Sequence, residues 1–115
     1  MNSVNHLTLA DFDTKVAASQ VPVVLDFWAP WCQPCKMLAP VLDALAEDYG
    51  NAIQIFKVNV DDEKDARERF SVGGIPTLLI MRDGQEIARH IGVLSKLRLR
   101  ALIDANSLPQ KVDAP

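Results

Sequence analysis

The chain carries two cysteines, three positions apart in Cys32-Gln33-Pro34-Cys35. A helix starting at this stretch would bring both sulfurs to one face of its first turn, close enough to bond. A disulfide across so short a loop hardly constrains the unfolded chain, so its purpose is chemical rather than structural. A thiolate at a helix N-terminus faces unpaired N–H groups and the positive end of the macrodipole. An ordinary thiol, with pKa ~8.5, is only a few per cent ionised at neutral pH. Lowering that value by about 1.5 units would leave it half ionised and more than tenfold richer in nucleophile. The implied reaction is thiol–disulfide exchange, one sulfur attacking and the other resolving the mixed disulfide. The same spacing is half of a zinc site, but zinc needs about two further ligands. His6 and His90 are the only histidines, and they lie in unrelated segments without ligand spacing.

Several elements must position this pair. Val21 to Trp28 is a nearly unbroken apolar run, which reads as a central strand buried on both faces. From Pro34 to Tyr49 the pattern becomes helical, with Met37, Leu38, Val41, Leu42, Leu45 and Ala46 on the inner face. Pro34 suits the first turn, Pro40 removes one helical bond further in, and Gly50 ends the helix. Ile53 to Val60 reads as a second strand, followed by a short charged helix capped at Asp61 or Asp62 and running through Phe70. Thr77–Met81 and Gln85–Ile91 flank the hairpin signal Arg82-Asp83-Gly84.

At the two ends, Thr8 with Asp11 opens a short helix over about 9–18, and Ser95 caps a last amphipathic helix. Leu97, Leu99, Leu102 and Ile103 are expected inside that helix, while Lys96, Arg98 and Arg100 stay wet. Arg82 and Arg89 likewise read as part of a solvated basic face. A further strand is possible over 3–7. The expected fold is α/β: a central mixed sheet with helices on both faces. Residues 1–106 form one domain, and 107–115, with two prolines and no periodicity, form a flexible tail.

Composition narrows the partners. Apolar residues make up 49% and charged residues 23% of the 115, an ordinary globular balance. The net charge of −3 provides no basic footprint for nucleic acid or an anionic membrane. No apolar stretch has the length of a membrane span, and the first residues lack a signal-peptide pattern, so a cytoplasmic monomer is expected. No Gly-rich dinucleotide fingerprint is present, so no bound cofactor is expected.

Asp26 interrupts the apolar strand. Burial there should desolvate its carboxyl and raise its pKa; a partly buried ion pair with Lys57, alone in its own apolar strand, is the plainer reading.

Taken together, Asp26-Phe27-Trp28-Ala29-Pro30-Trp31-Cys32-Gln33-Pro34-Cys35-Lys36, Gly74-Ile75-Pro76-Thr77, Gly84 and Gly92 resemble the thioredoxin family, from about His6 to Asn106. The resemblance implies that Cys32 is the exposed attacking thiolate and Cys35 the more buried resolving thiol. It makes Pro76 a cis-proline facing the disulfide, with the backbone of Ile75 open to an extended client segment. Trp31, Val60, Gly74, Ile75, Pro76, Gly92 and Val93 would form a flat docking surface. Asp26 would exchange a proton with the resolving thiol, with Lys57 beside it. Partners implied are disulfide-containing client proteins and an NADPH-dependent flavoprotein reductase that restores the dithiol. The sequence departs from the family at Gln33, where glycine is commonest. Gln33 and Pro34 therefore tune the redox potential, and the Gln33 side chain can donate a hydrogen bond or hinder some clients. The expected activity is reduction of protein disulfides. The rivals are a disulfide oxidase or isomerase, and a client-binding module without redox chemistry.

Overall fold

The computed structural model describes residues 3–107. Its sheet has five strands, β1 (Asn5–His6), β2 (Val23–Trp28), β3 (Gln54–Asn59), β4 (Thr77–Arg82) and β5 (Gln85–Ile91), in the order β1-β3-β2-β4-β5. β1, β3 and β2 are mutually parallel, whereas β4 runs antiparallel to β2 and β5 antiparallel to β4. The mixed sheet follows from connection lengths. α1 (Gln33–Tyr49) carries the chain from β2 back to a parallel β3, and a two-residue turn can only join antiparallel neighbours. That turn is Asp83-Gly84, with φ of 52° and 76°, the paired left-handed geometry that a tight hairpin demands.

β2 is the middle strand and is covered on both faces, as its apolar run requires. Val24 packs with Leu38, Leu42 and Leu45 of α1 and with Leu99 and Ile103 of α3 (Lys96–Ser107). Val23, Leu25 and Phe27 point the other way, onto Phe12, Val16, Ala66 and Val72. Strand alternation thereby puts Asp26 on the α1 side of the sheet.

Several local expectations give way. The opening helix is a 3₁₀ turn at Leu9–Asp11 and a π-type turn at Asp13–Ala17, and the Thr8 side chain caps neither. Glu63 accepts the Leu9 N–H at 3.0 Å instead, so a distant carboxylate does the work expected of a local cap. The charged helix shrinks to α2 (Ala66–Arg69), with residues 61–65 in turns and no aspartate side-chain cap. Met37 is 60% exposed and Leu97 78%, so neither belongs to the core. Leu97 and Leu99 are two positions apart, about 200° around a helix, and cannot share a face; Leu99 and Ile103 take the inner one. Ser95 does cap α3, accepting the Arg98 N–H at 3.2 Å. Ser107 is the last residue of α3 rather than the start of a tail, and the rest of the expected tail lies outside the described residues.

Candidate active site

Cys32 is the N-cap of α1, and its sulfur accepts the Cys35 N–H at 3.2 Å. The pair is bonded to each other, with Cα atoms 5.3 Å apart. Gln33 and Pro34 are exposed residues of the first turn, where a proline's missing N–H costs nothing. A sulfur in this position takes over what a capping oxygen does elsewhere: it accepts an orphan N–H at the positive end of a helix. When the disulfide opens, the same N–H would stabilise negative charge on Cys32.

The exposure expected for Cys32 needs correction. In the disulfide form it is only 5% exposed, against 2% for Cys35. The order is as expected, but the loop before β4 leans over Cys32, with the Ile75 carbonyl oxygen 3.8 Å from its sulfur. That loop contains the cis Ile75–Pro76 bond. Pro76 is buried, and its carbonyl accepts the Gly92 N–H at 2.8 Å, which joins the loop to the end of β5.

Around this point lies an apolar rim. Trp31 is 64% exposed; Gly74 and Val93 are exposed, and Ile75 and Gly92 half-buried. Val60 is buried and supports the rim rather than forming it; its N–H is tied to the Trp28 carbonyl at 2.9 Å. Two rim features escaped the sequence reading. Ile91, alongside Gly74, is exposed. Asp61 accepts the Trp31 indole N–H at 3.2 Å and so holds that ring in place.

Asp26 is fully buried, and neither carboxylate oxygen has a hydrogen-bond partner among the described residues. Loss of hydration raises its pKa to about 7, although the positive charge of Lys57 pulls it the other way. Lys57 stands opposite Asp26 in the β2–β3 register, yet its ammonium rests over the Trp28 ring, 4.3 Å from the centroid. Trp28 is thus the platform for Lys57 as well as packing beside the motif. The lysine acts on Asp26 through space and does not neutralise it by contact, so the carboxyl stays poised near neutrality.

These features define a class: a dithiol–disulfide couple built into the first turn of a helix, on a mixed five-stranded α/β fold whose central strand carries a buried carboxyl with pKa about 7. Comparison with known proteins is specific. The thioredoxin family model matches residues 3–105. The chain is 47% identical to the thioredoxin of Haemophilus influenzae over 104 residues, 90% of this chain and 97% of that one. It is 45% identical to the thioredoxin of Pseudomonas aeruginosa over 101 residues, 88% of this chain and 94% of the relative. With that of Porphyra purpurea it shares 39% over 102 residues, 89% and 95% of the two chains. The chain belongs to the thioredoxin family. Its chemistry is therefore thiol–disulfide exchange in the service of protein-disulfide reduction.

Proposed function

We propose that the reduced chain donates two electrons to client proteins through Cys32, with Cys35 completing each cycle. The Cys32 thiolate attacks one sulfur of a client disulfide, forming a mixed disulfide and releasing the other client sulfur as a thiolate. Asp26 takes the proton of Cys35, whose thiolate then attacks Cys32. The second client sulfur leaves, and the Cys32–Cys35 disulfide remains. Carrying this assignment is the Cys35 N–H donated to the Cys32 sulfur, which favours negative charge on Cys32 over Cys35. A carboxyl with pKa about 7 is matched to accepting a proton at the pH of the cell.

The client lies across Trp31, Gly74, Ile75, Pro76, Gly92 and Val93, its extended backbone pairing with Ile75 and its side chains on the apolar rim. Lys57 tempers the acidity of Asp26, pulling its pKa down against the larger upward push of burial. Gln33 and Pro34 tune the couple. An NADPH-dependent flavoprotein reductase returns the electrons, and the chain works as a monomer in the cytoplasm, where thiols are kept reduced. Among the described residues, no helix is long and apolar enough to cross a membrane.

Trapping tests the order of events. Cys35→Ser should accumulate a client joined to Cys32, identified by mass spectrometry under non-reducing conditions, while Cys32→Ser accumulates none. The reverse pattern would exchange the two roles. Direction is tested by equilibration with glutathione. A potential near −270 mV, the general value for thioredoxins, agrees with a reductase, and one near −180 mV, as in protein disulfide isomerase, would make the chain an oxidase or isomerase.

A further inference from the structure

The loop that brings Ile75 to the disulfide is held by side chains along much of its length. Arg89 on β5 supplies two of the four side-chain bonds to the loop's carbonyls. Its guanidinium donates to the Phe70 carbonyl at 2.7 Å through Nη2 and to the Ser71 carbonyl at 2.8 Å through Nη1. It is itself fixed by Glu86, through Nε at 2.7 Å and Nη2 at 2.8 Å. Arg67 donates to the Gly73 carbonyl at 3.0 Å, and the Thr77 hydroxyl donates to the Gly74 carbonyl. The carbonyls of residues 70, 71, 73 and 74 are all fastened before the chain reaches Ile75.

Arg89 is therefore no member of a solvated basic face. A planar fork bonded on one side to a carboxylate and on the other to two carbonyls is a geometry only arginine provides. The two carbonyls follow the last turn of α2, where unpaired acceptors and the negative end of the helix welcome a cation. Ser71 between them has φ of 54°, a conformation a serine does not hold unaided.

We propose that Arg89, buttressed by Glu86, is a positioning residue for protein clients: it holds the 70–76 loop so that the Ile75 backbone is ready to pair with an extended client segment. This rests on the docking reading given above. Pre-ordering a backbone edge spares the entropy of ordering it at each encounter, so the benefit appears in client affinity. A small disulfide, which has no strand to add, gains nothing from it. Arg89 thus sets the preference for proteins over small disulfides, and it touches neither sulfur.

The test compares two substrates on the full-length chain, with dithiothreitol as electron donor: insulin, a disulfide-bonded protein, and cystamine, a small linear disulfide. Arg89→Met should raise KM for insulin roughly five- to tenfold with kcat little changed, and leave the cystamine rate within about twofold of the parent. Arg89→Lys keeps the charge without the fork and should recover only part of the loss. Glu86→Gln should fall between parent and Arg89→Met. An unchanged insulin KM in Arg89→Met, or a proportional fall in both rates, would overturn the proposal. Should Arg89→Met fail to fold, Arg89→Lys decides, and an insulin KM equal to the parent's refutes the role. A parent that reduces cystamine but not insulin would break the docking reading itself, independently of any difference among variants, and the Arg89 role with it.

Discussion

The two sides of the disulfide are built by opposite means. On the helix side, the partners of the sulfurs are neighbours in sequence: Cys32 caps α1, Cys35 supplies the N–H three residues on, and Pro34 fits between them. On the loop side, the 70–76 segment is held by Arg67, Thr77 and, from farther along the chain, Arg89. The helix side is thus positioned by local geometry that any helix start would supply. Its opposite side adds to local holds by Arg67 and Thr77 a tertiary contact, that of Arg89, which forms only when β5 and the end of α2 have come together. The lesson is a division of labour: the sulfurs sit where the backbone is fixed locally, and the loop proposed to meet clients is held in part by a distant side chain.

The largest expected effect lies beneath the helix side. Asp26 has a folded-state pKa of about 7, well above the usual carboxyl value, because burial opposes its ionisation. Between about pH 4 and 7 the folded chain holds a proton that the unfolded chain has lost, so stability falls as pH rises through that window. Asp26→Asn removes this loss. It should stabilise the oxidised protein by on the order of 3 kcal/mol at pH 8 and by almost nothing at pH 4, read from urea unfolding at the two pH values. Parallel stability profiles for parent and variant would mean that the carboxyl ionises normally, and the proposed transfer of a proton to Asp26 would lose its basis.

Next in size is the reactivity that the helix start confers. In the reduced chain, Cys32 should be alkylated by iodoacetamide at pH 7 more than tenfold faster than Cys35, and its rate should plateau well below the ~8.5 of a free thiol. Equal rates at the two cysteines would remove the reason for assigning attack to Cys32. On the loop side the matching perturbation is Thr77→Val, which keeps the shape of a fully buried side chain but withdraws the hydroxyl from the Gly74 carbonyl. Because Gly74 is exposed, water can partly replace the lost donor. A cost of about 1 kcal/mol in stability is expected, together with a weaker insulin KM and an unchanged rate of Cys32 alkylation. A change in alkylation would show that the two sides are coupled rather than separately built.

This division also explains what was legible beforehand. The spacing of Cys32 and Cys35 and the proline between them state a helix start and a sulfur pair directly, and the apolar run around Asp26 states its burial. Arg89 was misread because nothing in Glu86-Ile87-Ala88-Arg89 says that the guanidinium will meet the end of α2 (Ala66–Arg69). An arginine in a strand at the sheet edge has the same pattern whether it points to water or to a carbonyl. Asp61, as the partner of the Trp31 indole, is hidden for a like reason, since an aspartate heading a charged run reads as a helix cap. Leu97 was placed inside by its type alone, although its spacing from Leu99 contradicts that on one helix face. Period and spacing report local geometry; they do not report which distant backbone group a long side chain will reach.

The smallest predicted effect gives the sharpest contrast, because the same change should have opposite signs on the two sides. Ser71 has φ of 54°, which a side chain disfavours and glycine adopts freely. Ser71→Gly relieves that cost while giving the unfolded chain more freedom, and the balance should be stabilising by roughly 0.5 kcal/mol. Gln33 is the first residue of α1, where the backbone is helical and glycine brings only its extra unfolded-state freedom. Gln33→Gly should destabilise by about 0.5 kcal/mol. Both are read as shifts of the urea midpoint at constant slope in the oxidised protein. If Ser71→Gly destabilises as Gln33→Gly does, the loop's left-handed residue is not being held against its own preference. The tertiary grip attributed to Arg89 would then have nothing to oppose at that position.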